Sequence, residues 1–404
     1  MTHILTDIAQ LATCPPDASD AGLIDRAALV WADGVVVWAG PESDLPAQFA
    51  DAERLSANGG LVVPGLVDCH THLVHAGDRS GEFVERIKGT PYLDIAQRGG
   101  GILSTVRATR AVTDDELLTS ARNRLDAMLQ QGVTTVEAKS GYGLTLAEEL
   151  RTLRIHRLLD AQGPQRIVST LLAAHTVPPE YADDRAGYVR LIVEEIIPQA
   201  AAERFAAFVD VFVETGAFTA DEARTIFAAA AEYGLGAKLH ADQLSDTGGG
   251  ALAASVGAAS ADHLEYVSDE SIAAMVKGGV IAVSLPIATL VLGQEPLPAR
   301  RLLDAGARVA VATDFNPGSA PSASLPLAMW LACTRQRMTP EEVLRGVTIH
   351  GARALRLGGI GTLALGAPAD LAVFDAPSLD AWMSGWRAEP ARRTVIAGET
   401  VWAR

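Results

Sequence analysis

The residues best suited to chemistry begin with Asp68-Cys69-His70-Thr71-His72, which closes an apolar run, Leu61 to Val67, that reads as a buried strand. Histidines at i and i+2 on extended backbone project to the same side, so His70 and His72 form half of a metal site. The pair gains weight from three residues further along the chain, because His240, His263 and Asp314 also stand where apolar, strand-like runs stop. Imidazoles and a carboxylate suit Zn²⁺ or Fe²⁺, whereas soft thiolate ligation has no candidate set. His70, His72, His240 and Asp314 would leave room for a water, whose pKa a bound ion lowers towards ~7. Asp314 could hold that water's proton while touching the metal. His263 could orient or deprotonate the water, or stabilise charge on an attacked carbonyl.

Eight strand candidates must position these groups. They end near His72, Glu137, His175, Glu214, His240, His263, Ser284 and Asp314, with helical segments such as Asp115 to Gln130, Ala147 to Leu159, Tyr188 to Ala202 and Asp221 to Tyr233 between them. Three helix starts carry the reciprocal cap Thr-x-x-Glu, at Thr113/Glu116, Thr219/Glu222 and Thr339/Glu342, the last with Pro340 at the first helical position. Eight apolar strands alternating with helices predict an α/β fold, a (β/α)8 TIM-type barrel, over an open doubly wound sheet. No glycine fingerprint of the dinucleotide type follows the first strand. Both ends differ from the middle. Ala28 to Ala32 and Val35 to Trp38 flank Asp33-Gly34, a tight-turn hairpin signal, and the tail alternates with period two over Ala369 to Phe374 and Arg393 to Trp402. The expected organisation is a small composite β-domain from residues 1–62 and 363–404, beside a barrel domain of residues 63–362.

Composition narrows the function. Of 404 residues 49% are hydrophobic and 20% charged, enough for a large core, and the formal net charge of -16 argues against a groove that tracks nucleic-acid phosphates. Cys14, Cys69 and Cys333 are scattered and odd in number, which suits a reducing cytosol, and period two turns Cys69 away from the flanking histidines into a structural role. The first residues have no basic stretch, and Asp7 interrupts their apolar run, so no signal peptide is expected. The uncharged run Gly278 to Gln294 falls short of a bilayer span and contains Pro286, so no membrane partner is expected. His3, His156 and His350 lie away from strand ends and read as surface or packing residues, while His75 reads equally as solvent-facing or as support for the pair before it.

With these residues in view, the chain resembles the amidohydrolase superfamily, and within it the lactam-opening family of histidine degradation. Pro64-Gly-Leu-Val-Asp-Cys-His-Thr-His-Leu73 resembles the superfamily's first-strand signature. More specific are Ala76-Gly-Asp-Arg79-Ser with Glu82-Phe83, Gly99-Gly-Gly-Ile102 with Thr109-Arg110, Lys139-Ser-Gly-Tyr142-Gly, Leu239-His240-Ala-Asp-Gln243, Asp262-His263-Leu-Glu265 and Ala312-Thr-Asp314-Phe-Asn316-Pro-Gly318-Ser319. The resemblance runs nearly end to end. It implies one divalent metal ion per subunit, Zn²⁺ or Fe²⁺/Fe³⁺, on His70, His72, His240 and Asp314, with His263 and Asp314 catalytic. It implies substrate contacts from Arg79, Tyr142, His175, Gln243, Asn316, Gly318 and Ser319. The activity implied is hydrolysis of the ring amide of 4-imidazolone-5-propanoate to N-formimidoyl-L-glutamate, by a cytoplasmic homodimer. A guanidinium can clamp the substrate's carboxylate bidentately, which points to Arg79. Two departures stand out. Some relatives carry glutamate where this chain has Gln243, and an amide cannot serve as a base. Many read Leu-Pro-Gly-Ala where this chain has Leu285-Pro286-Ile-Ala. Lys139 resembles the carboxylated lysine of two-metal members, but its motif fits a one-metal member. The alternatives are another cyclic-amide hydrolase, a heterocycle deaminase of the same superfamily, and a silent scaffold on the same barrel.

Overall fold

A computed structural model describes residues 1–90, 94–95, 98–386 and 389–404. Four strands open the chain: β1 Thr2–Ala12, β2 Leu23–Ala32, β3 Val35–Pro41 and β4 Glu53–Pro64. Eight short strands come next: β5 Leu66–Asp68, β6 Val133–Lys139, β7 Arg166–Ala174, β8 Phe208–Val213, β9 Gly236–Ala241, β10 Ser260–His263, β11 Ile281–Ser284 and β12 Val309–Val311. The tail adds β13 Leu371–Phe374, β14 Arg393–Ile396 and β15 Glu399–Ala403.

Strands β5 to β12 pair in sequence order, all parallel, and almost every residue in them is buried, as expected where helices cover one face and side chains fill the other. The result is an eight-stranded, nearly closed barrel. Its seam, between β12 and β5, is held differently from the other junctions. The Asp68 carboxylate accepts from Thr313 N at 3.1 Å and Thr313 Oγ1 at 2.6 Å. Just above, Asp314 N donates to His70 O and His72 N to Phe315 O. The same few bonds therefore join the seam and set the backbone of three candidate ligands.

The other sheet has the order β15-β14-β13-β4-β1-β2-β3, so both ends of the chain do build one sheet. Trp31, Leu5, Leu29, Leu371 and Val395 form its separate core. The Asp33-Gly34 turn forms as expected, with both residues at positive φ, and the period-two tail proves to be a second hairpin that turns at Ala397-Gly398. Thr394 Oγ1 to Leu129 O and Ala391 N to Gln130 O tie this sheet to the barrel.

One expectation is corrected. Leu61 to Val67 is not one strand: residues up to Pro64 pair with β13 in the terminal sheet, and only Leu66–Asp68 enters the barrel. The chain changes sheets at Gly65, where a Cβ would lie 2.3 Å from Thr134 Oγ1, so only glycine allows the approach. All three reciprocal caps form, at the helices Asp114–Leu129, Ala220–Glu232 and Pro340–Gly346.

Candidate active site

Each candidate donor stands at the carboxyl end of a barrel strand, where side chains from different strands converge. His70 and His72 follow β5, His240 lies in β9, His263 closes β10 and Asp314 follows β12. All five are 3% exposed or less. The donor atoms of His70, His72 and His240 lie within 4.8 Å of one another, as do those of His70, His263 and Asp314. Asp314 Oδ1 is 3.3 Å from His70 Nε2 and 3.4 Å from His72 Nε2.

Carboxylates behind the rings set which nitrogen faces inward. His70 Nδ1 lies 2.6 Å from Asp262 Oδ2 and His240 Nδ1 lies 3.0 Å from Asp210 Oδ2. This is how metal-bound histidines are usually held, with the outer N–H on a carboxylate and the Nε2 lone pair turned to the ion. His70 Nε2 and His240 Nε2 are both buried without a hydrogen-bond partner, an arrangement a divalent ion resolves. Burial and Lys139 oppose a charged His70, yet its bonds to Asp262 and Asp314 push it up to about 9. Burial outweighs the pull of Asp314 on His72 and lowers it to about 4, so that ring is neutral and its lone pair is available to an ion. The residues present fit a divalent metal.

Below the rings lies a fully buried charge layer. Lys139 Nζ contacts Glu137 Oε1 at 2.9 Å and Asp210 Oδ2 at 2.8 Å, and Lys238 Nζ contacts Glu137 Oε1 at 3.2 Å. Burial opposes the charge on Lys139, but Asp210 and Glu137 hold its ammonium above the ordinary range. That ammonium braces the carboxylates behind the histidines. Asp210, Asp262 and Lys238 had no assigned role from the sequence. The available signal was a charged residue inside an otherwise apolar strand, as in Phe208-Val-Asp-Val-Phe-Val213.

A cavity of about 380 Å³ opens above the donors, and His72, Arg79, Tyr142, His175, Gln243, Asn316 and Ser319 are among its walls. His175 stacks on His72 with centroids 5.2 Å apart and bonds Gly141 O through Nδ1. Burial, then the neighbouring His72 and His240, keep it well below the usual imidazole range. Arg79 Nε donates to Glu82 Oε2 at 2.8 Å. Gly318 lies against Arg79, where a Cβ would sit 1.9 Å from Nη1, so it clears space for the guanidinium. Asn316 is engaged within its loop: Oδ1 accepts from Gly318 N and Ser319 N, and Nδ2 donates to Asp314 O and Ser319 Oγ. His75 is buried and bonds His72 O through Nδ1, so it supports the pair before it. The departure at Leu285-Pro286 forms the helix Pro286–Leu292, whose end, with Gln294, adds to the cavity wall.

Several non-glycine residues at the strand ends adopt positive φ: Asp242 (49°), His263 (80°), Leu264 (67°) and Asp314 (55°). Such conformations cost on the order of 1–3 kcal/mol each and gather at functional sites. Burial lowers His263 to about 3, whereas burial raises Glu265, two residues on, to about 8. Burial also opposes ionisation of Asp314, but bonds from His70 and His72 hold it well below the carboxylate range.

The chain is similar to known proteins over most of its length. The model of the amidohydrolase family matches residues 61–401. An imidazolonepropionase of Paracoccus denitrificans (strain Pd 1222) is 48% identical over 396 residues, which cover 97% of this chain and 98% of that relative. The chain belongs to the amidohydrolase family, on its imidazolonepropionase branch. Another imidazolonepropionase, from Anaeromyxobacter sp. (strain K), is 50% identical over 91% of this chain and 88% of its own length. Among solved structures, a zinc-bound adenosine deaminase from Xanthomonas campestris superposes with a TM-score of 0.76 at 18% identity, covering 99% of this chain and 93% of its own. The atrazine chlorohydrolase of Arthrobacter aurescens TC1 superposes with a TM-score of 0.73 at 17% identity, over 99% and 95%. These two share the barrel and its companion sheet; at such identity they speak to fold alone. Among the described residues no helix is long and apolar enough to cross a membrane.

Proposed function

We propose that the chain hydrolyses the ring amide of 4-imidazolone-5-propanoate to N-formimidoyl-L-glutamate, in the degradation of L-histidine. The observation that carries this is one cavity holding both a metal-binding set and Arg79. The donors face a small polar ring, and the guanidinium answers the propanoate. A neutral nucleobase has no group that calls for that cation, which weighs against a deaminase.

His70, His72, His240 and Asp314 would hold one divalent ion, zinc or iron. When bound, the ion supplies Lewis-acid polarisation and a lowered water pKa. Asp314 stays ionised and orients the attacking water. His263 carries to the leaving ring nitrogen one proton that the water gives up, so the C–N bond breaks with its electron pair on a protonated nitrogen and the carbonyl carbon becomes a carboxylic acid, whose remaining proton passes to solvent. Tyr142, His175 and Gln243 hold the ring. Asn316, Gly318 and Ser319 shape the loop that places Asp314 and Arg79. Residues 63–362 act as the hydrolase barrel, with 1–62 and 363–404 as the composite β-domain, in a cytoplasmic homodimer.

The test is a turnover assay on the metal-loaded protein, with mass spectrometry of the product. Conversion of the imidazolone to a product heavier by one water is expected. Turnover of aminated heterocycles, with the imidazolone left intact, would overturn the assignment.

A further inference from the structure

The described residues hold a pair of buried groups that this mechanism leaves unexplained. His263 Nδ1 and Glu265 Oε2 are both buried without a hydrogen-bond partner, and they lie 3.9 Å apart. The side chains are 2% and 1% exposed, so both are withdrawn from bulk solvent. The other carboxyl oxygen is barely better supplied. Glu265 Oε1 faces Thr289 Oγ1 at 3.2 Å, but that hydroxyl lies equally 3.2 Å from Leu285 O and has one hydrogen to give.

A buried carboxyl without partners is destabilising, and fully buried glutamates are rare unless paired. The backbone makes the juxtaposition specific. His263 and Leu264 are consecutive non-glycine residues in the left-handed region, and this turn brings residue 265 back alongside the ring of residue 263. Leu264 N to Ala241 O and Tyr266 N to Asp242 O pin the turn on either side. A strained turn that delivers an unpaired carboxyl oxygen to an unpaired ring nitrogen points to a bond made during function. Catalytic hydrogen bonds are often long before substrate binds and then tighten.

We propose that Glu265 is a positioning residue for His263, binding Nδ1 so that Nε2 is the atom presented to the reacting C–N bond. This rests on the reading of His263 as the proton carrier. The gap must close by about 1 Å to reach bonding distance. One hydrogen then bridges Nδ1 and Oε2 throughout. Nε2 takes the proton released by the water and gives it to the ring nitrogen, so the ring returns to its starting state.

The test uses the metal-loaded enzyme and two variants, Glu265→Gln and Glu265→Leu. The expected result is a fall in kcat of about 10- to 100-fold in both, by analogy with the loss when a carboxylate supporting a metal-bound histidine is removed. KM is expected to stay within about twofold and metal content to match the parent. The leucine variant should melt at or above the parent's temperature, because it replaces an unsatisfied buried carboxyl with an apolar group. A purely structural glutamate would not combine unchanged or raised stability with lost turnover. Normal kcat in either variant overturns the inference, and so does metal loss in step with activity. If the leucine chain does not fold, the near-isosteric glutamine variant decides alone. His263→Asn separates the two readings. If it is impaired while the Glu265 variants are not, only the role of Glu265 fails; if it turns over normally, the role of His263 fails. Adding Glu265→Leu to His263→Asn should then cost no further turnover.

Discussion

At the level of single residues, the division of labour in the cavity gives different kinetic signatures. His263→Asn keeps the ion's four donors and removes the proton carrier, so kcat should fall by about 10²- to 10⁴-fold with metal content unchanged. Near-normal turnover would take His263 out of the chemistry. Arg79 is expected to act on the substrate's tail rather than the breaking bond, so Arg79→Ala should raise KM on the order of tenfold or more with a smaller change in kcat. An unchanged KM would show that another cation holds the carboxylate. The histidines and Asp314 were legible in the sequence because each ends an apolar strand, and a barrel collects strand ends. Asp210 and Asp262 stood out only as charges in apolar strands, and their roles did not, since a carboxylate's partner on another strand leaves no local pattern. Glu265 was visible within a motif, but its closeness to His263 depends on two left-handed residues that side-chain types alone do not announce.

At the level of elements, the β12/β5 seam is the junction where side chains stand in for a ladder. Burial pushes Asp68 up to about 6, and the Thr313 hydroxyl and amide oppose that rise. Thr313→Val removes one of these bonds from a buried carboxyl and should destabilise the fold by about 2–3 kcal/mol, measured by denaturant unfolding. Because Asp314 N donates to His70 O at the same seam, activity should fall more steeply than stability alone accounts for. A variant as stable as the parent would show that the seam is held elsewhere. Capped helices and the Asp33-Gly34 hairpin were readable because their signals are local. The division of Leu61 to Val67 was not, since both halves are buried on both faces and their apolar pattern is continuous. Only Gly65 marks the change of sheet, and its reason lies in Thr134, far along the chain. The segment Arg185–Ala202 likewise read as one plain helix from Tyr188, yet its middle, Ile192–Ile196, is a π turn.

For the whole molecule, the buried donor cluster couples metal to fold. Folded chain alone gathers His70, His72, His240 and Asp314, so an ion that binds only there stabilises it by about 4 kcal/mol at a thousandfold excess over Kd. Chelation should therefore lower the melting temperature together with activity, and adding back zinc or iron should restore both. An unchanged melting temperature in a verified metal-free sample would show that these donors gather without help from an ion.

The arrangement of the terminal sheet bears on how the molecule is made. β4 pairs on one side with β1 and on the other with β13, which leaves the ribosome roughly 300 residues later, about 15–60 s at ordinary rates of synthesis. Through that interval Leu61, Val62 and Val63 line an open edge on the nascent chain, the kind of surface that recruits stray strands. Translation pauses within the barrel segment would lengthen this exposure, whereas early supply of the tail as a separate peptide would shorten it.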